Sequence, residues 1–162
     1  YIQEQDRRAW DPELGWLHAP AHGADTLGVF ALSPRLSPTD VDRAAVALIV
    51  GLSVPSSPLF GDGEDARVAQ ALYAACCRED VSAATVADWF LRARSTLAIG
   101  LGGPRTPPWV SNTVRALQML YLLVDSKAAV SPSGVPVACA HAETVKNGVV
   151  HALGTWWPPL RP

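Results

Sequence analysis

The sequence predicts an all-α chain on three observations. Every apolar pattern long enough to judge has the helical period, none alternates as a strand would, and Pro- and Gly-rich connections cut the patterns into helix-sized lengths. Six helical segments joined in this way imply antiparallel helix pairs, arranged either as an α-helical bundle or as a short HEAT-like α-α superhelix. Residues 1–162 are expected to make a single domain. The chain opens at Tyr1, so whether it is a fragment of a longer one stays open.

The opening "YIQEQDRRAW" sets Tyr1, Glu4 and Arg8 at helical spacing and reads as the tail of a helix stopped by Asp11 and Pro12. From about His18 to Leu32 the residues are apolar or small almost all round the helical wheel, which predicts a central helix covered on every side. Trp16 is expected to pack beside its start, fixing the turn from Asp11 to Gly15, so that its removal costs about 3 to 5 kcal/mol. "SPTDVDRAAVALIV" offers Ser37 as N-cap, Pro38 in the first turn, and Val41, Ala44, Ala45 and Leu48 as one buried face. "EDARVAQALYAACCRE" places Val68, Leu72 and Cys76 on a stripe behind acids suited to a helix start. "SAATVADWFLRARSTL" adds Ser82 as cap, with Val86, Trp89, Phe90, Ala93 and Leu97 inward. Val110, Val114, Leu117, Tyr121 and Val124 mark a fifth helix, and Val137 to Leu153 a sixth ended by Gly154.

Composition bounds the function. The chain has 49% hydrophobic residues and a net charge of −2 without long charge runs, so it should fold and lacks the basic footprint of a nucleic-acid binder. No apolar run approaches a membrane span, the best being "ALQMLYLLV" from Ala116 to Val124. Cys76 and Cys77 are adjacent and Cys139 stands apart, which fits neither a disulfide framework nor a zinc spacing and favours a reducing cytoplasm. A protein partner or a small molecule remains open, as does the oligomeric state.

The conspicuous motif is "GWLHAPAHGADTL". At about 100° per residue, His18, His22 and Asp25 fall within roughly 60° of one another on a helix, on the stripe continued by Val29 and Leu32. An inward carboxylate with two imidazoles needs partners, because an unpaired buried charge is costly, and Glu4, Asp6, Arg7 and Arg8 are the nearest in sequence. His-x-x-x-His suits zinc, though the intervening glutamate of a zinc protease is missing. Three readings follow: a divalent metal held by His18, His22 and Asp25, a structural network in which Arg7 or Arg8 pairs with Asp25, and an organic-ligand pocket. Asp25 is expected to bond a group outside its own helix, from Arg7, Arg8, Arg67 or a histidine. Pro20 between the histidines requires the helix to begin near His18 or Ala19. "GLGGP" follows a helix and is a turn, not a phosphate cradle. His141 and His151 carry no assigned role, and Trp156 and Trp157 are expected to cover an end of the core or to join a partner surface.

In order along the chain, "EQDRRAW", "GWLHAPAHGADTL" and "LFGDGEDARVAQAL" resemble the acid-x-Asp-Arg, Gly-Trp-x-His-x-x-x-His-x-x-Asp and Glu-Asp-x-Arg segments of the bacterial domain of unknown function 2785 family. The resemblance covers about the first half of the chain. It implies an all-α fold with no assigned activity and makes Glu4, Asp6, Arg7, Trp16, His18, His22, Asp25, Glu64, Asp65 and Arg67 the candidate site residues. The chain departs from the family pattern at Arg8 and Ala9, where members carry a glycine and an aromatic residue. Two functions stay in play. One is a scaffold or binding domain with a structural polar site. The other is a small-molecule binder or metal-dependent enzyme in which an imidazole acts as acid or base and Asp25 orients it.

Overall fold

Short polar side chains or prolines mark the starts of four of the six described helices. In the computed structural model, which describes residues 4–126 and 137–157, the elements in order are β1 (Trp10–Asp11), β2 (Gly15–Trp16), α1 (Ala19–Ala31), α2 (Pro38–Leu52), α3 (Glu64–Cys76), α4 (Ala83–Leu101), α5 (Pro108–Ser126) and α6 (Ala142–Trp156). Ser37 caps α2 in a reciprocal box, its hydroxyl accepting from the Asp40 amide while the Asp40 carboxylate accepts from the Ser37 amide. Ser82 caps α4 by accepting from the Thr85 amide at 3.1 Å. Pro20 lies in the first turn of α1, as its missing N–H requires.

The helices stack in two rows. α3 packs against both α1 and α5, and α4 against both α2 and α6, with α5 and α6 also in contact. The stripes expected for α2, α3 and α4 are all buried, as are Val110, Val114, Leu117 and Val124 of α5, and they join one apolar core with contributions from all six helices. Small residues allow the closest approaches. A Cβ added to Gly28 would lie 3.2 Å from the Ala71 Cα, and one added to Gly148 would meet the Phe90 ring at 2.5 Å. The all-α expectation therefore holds, with one addition. Trp10 pairs with Trp16, and Asp11 with Gly15, in a minute antiparallel hairpin whose turn the Asp11 carboxylate closes by accepting from the Glu13 and Leu14 amides, both at 2.9 Å.

Three expectations need correction. Residues 4–9 form no helix, and Tyr1 lies outside the described residues. The Glu4 carboxylate takes the Gln5 and Asp6 amides and the Asp6 carboxylate takes that of Arg8, local bonds that compete with a helical ladder. α1 is not a central helix. Pro20, Gly23, Ala24 and Ala31 face the core while Val29 and Phe30 are about half exposed, because the small residues dock most closely on α3 and turn the larger ones outward. α6 begins at Ala142, not Val137, whose carbonyl instead accepts from the Tyr73 hydroxyl, and Gly154 lies inside the helix.

From the sequence, Arg78 was assigned no role. Arg78, just past α3, donates to the carbonyls of Ala31, Ser33 and Leu36 at 2.9, 3.0 and 2.8 Å, so it satisfies the C-terminal end of α1 and the α1–α2 connection at once. Asp80 holds its guanidinium from the other side at 2.7 Å. Arg78→Met leaves these carbonyls unpaired, and urea unfolding should show a loss of about 2 to 4 kcal/mol, with Arg78→Lys intermediate. An unchanged midpoint would remove Arg78 from this role.

Candidate functional site

His18 is not a helical residue. It occupies the N-cap position of α1 with φ 45°, a left-handed conformation uncommon for a side chain with a Cβ. The helical wheel therefore does not govern it. Its ring packs on Trp16 with centroids 4.7 Å apart, Trp16 packs edge-on against Trp10 at 5.2 Å, and the His22 ring stands 6.2 Å from that of His18. Across the α1–α3 contact, the His18 Nε2 lies 3.5 Å from the Glu64 Oε1. That nitrogen is buried and has no hydrogen-bond partner.

Glu64 opens α3 and is 1% exposed. Its Oε2 accepts from the Asp62 amide at 3.0 Å, and its place in the first turn sets it in the favourable field of the helix N-terminus. The Asp62 carboxylate completes a set in which one ligand atom each from His18, Asp62 and Glu64 lie within 4.8 Å of one another. The metal-ligand set expected from the sequence is thus not the one assembled. His22 is exposed, and Asp25 pairs with Arg67.

The other candidates serve neighbouring contacts. Asp25 and Arg67 bridge α1 to α3, so of the groups expected to reach Asp25 it is Arg67 that does, at a half-exposed position and not on an inward stripe. Asp65 lies 2.9 Å from the Arg115 Nε of α5, and Arg115 also donates to the Phe60 carbonyl. Asn112, fully buried, accepts from the Phe60 amide at 2.9 Å and donates to the Pro58 carbonyl at 2.8 Å, pinning the α2–α3 connection to α5. Arg7 is 4% exposed and donates to the Ser57 hydroxyl and the Gly51 carbonyl at 3.1 and 2.7 Å, and burial lowers its pKa. Glu4 and Asp6 stay in the opening segment, apart from the His18 set. Trp16 is 58% exposed, which corrects the expectation of a packed anchor.

Asp62, Asn112 and Arg115 were missed by sequence reasoning. The Gly-Asp-Gly triplet at 61–63 was the one available signal for Asp62. Cys139, remote from Cys77 in sequence, meets it in the fold. The hydrogen bond from the Cys77 thiol lowers the Cys139 pKa and raises that of Cys77, while burial pushes Cys76 up and Tyr73 to about 12.

The family model described as "Protein of unknown function (DUF2785)" matches residues 1–122. The chain belongs to this family. The match runs well past Ala75, to near the end of α5, and so covers every residue of the candidate site. Neither the curated proteins nor the solved structures contain a match. No described helix is long and apolar enough to cross a membrane.

Two outcomes follow. Trp16→Ala and Asp25→Asn should each change stability by less than about 1 kcal/mol in urea, since one ring is exposed and the other group sits in a solvated ion pair. Bonds from Arg8 lower the Asp6 pKa from 3.8 to about 2, and the Leu14 and Glu13 amides lower that of Asp11. Both carboxylates contribute above their ordinary range and lose the contribution as pH falls through the lowered values. Tryptophan emission from Trp10 and Trp16 should therefore change on acidification from about pH 4 to 2 before helicity is lost. A hairpin signal that titrates higher, together with the helices, would contradict this.

Proposed function

We propose that this chain is a helical scaffold or binding domain, built as a short array of antiparallel helix pairs, in which the charged residues near α1 and α3 act structurally. The observation that carries the reading is the employment of those charges. Arg7 holds the end of α2, Arg67 holds Asp25, and Arg115 holds both Asp65 and the α2–α3 connection. Acid–base chemistry by His22 and Asp25 is disfavoured, because Asp25 is already paired and the His22 ring is not grouped with a second ligand or base. The contact face we favour is the hairpin, where Trp10, Leu14 and Trp16 are 54, 70 and 58% exposed beside His18. A protein segment or a small molecule suits such a surface. Nucleic acid does not, given the net charge of −2. A reducing cytoplasm is the setting this reading carries, supported by three cysteines outside any disulfide.

The reading predicts that Arg7→Met lowers stability by about 2 to 4 kcal/mol in urea, by stranding Ser57 and Gly51. A variant that unfolds with the parent would show that the network is not structural. For the contact face, the indole N–H signals of Trp10 and Trp16 in an NMR fragment screen should shift most. Hits that leave both signals still while moving others would place binding elsewhere.

A further inference from the structure

Glu64 is the most deeply buried carboxylate among the described residues, and within its set only the Asp62 amide is a hydrogen-bond donor to it. Facing its other oxygen is an imidazole nitrogen that is closed to water and has no hydrogen bond. Two electron-pair donors that face each other out of water are costly unless a cation or proton lies between them. Their separation of 3.5 Å is longer than the usual N–H···O hydrogen bond. It matches the edge of a tetrahedral zinc site, where Zn–N and Zn–O bonds of about 2.0 to 2.2 Å put adjacent ligand atoms about 3.4 Å apart.

Asp62 supplies the third corner. Its carboxylate lies within 4.8 Å of both other ligand atoms and comes from an exposed position between Gly61 and Gly63, so a small backbone adjustment can tighten the set. Two carboxylates and a neutral imidazole give a −2 donor set suited to a borderline divalent cation. We propose that His18, Asp62 and Glu64 bind one divalent transition-metal ion of the zinc class, with its fourth position open to solvent on the Asp62 side. The ion joins the N-terminal end of α1 to that of α3. This inference uses none of the Arg7, Arg67 or Arg115 contacts, so it stands or falls apart from the scaffold reading.

The test uses the full chain after removal of metal by a chelator. Cobalt(II) is titrated and followed by visible absorption, zinc by calorimetry, and the melting temperature is read with and without zinc. The expected result is one ion per chain, cobalt bands displaced by zinc, and a melting temperature raised by zinc. Asp62→Asn, at an exposed position that leaves folding intact, should weaken affinity by at least about tenfold, as even the loss of an outer partner does at metal sites. Glu64→Gln should do the same if its circular dichroism matches the parent. His22→Ala and Asp25→Asn should bind as the parent does. Absence of stoichiometric binding, binding unchanged in Asp62→Asn, or binding lost in His22→Ala would each overturn the proposal.

Discussion

The close approach of α1 to α3 is the constraint on which the rest of the site depends. Gly28 against Ala71 leaves room for hydrogen and little else, and this contact decides which face of α1 is buried. It also sets where the N-cap of α1 arrives. His18 lands on the start of α3 because the two helices are packed this tightly along their length, and the Arg67–Asp25 pair spans the same contact from the solvent side. A larger residue at position 28 would separate the helices before any polar group could respond.

The polar contacts divide by depth, and the division separates structure from chemistry. Exposed pairs such as Arg67 with Asp25 are screened and contribute little. Buried and part-buried groups cannot be idle. Arg7, Asn112 and Arg78 each connect segments distant in sequence through backbone carbonyls, the groups that short helices and long connections leave unpaired. Against this well-partnered background the His18 nitrogen stands out, because it lies beside a buried carboxylate yet makes no hydrogen bond.

How much could be read from residues alone follows from the same physics. Caps and stripes are local, so Ser37, Ser82 and the buried faces of α2 to α5 were legible. α1 was harder. Alanine, glycine and proline around its wheel leave no contrast between faces, and only packing on α3 decides that Val29 and Phe30 face water. The family motifs drew attention to Glu64 and Arg67, and Arg67 was one of several partners expected for Asp25. Asp62 was not anticipated, since it joins His18 only through the tertiary approach of a loop to a cap, and the wheel that grouped His18 with His22 and Asp25 does not apply to a residue outside the helix.

The central claim is that the α1–α3 packing couples His18 to Glu64. A double-mutant cycle with His18→Gln and Glu64→Gln, read by urea unfolding in the parent and again in a Gly28→Val background, tests it most directly. The account predicts a coupling above about 0.5 kcal/mol in the parent that shrinks when valine forces the helices apart. Additive effects in the parent, or a coupling indifferent to the valine, would contradict it.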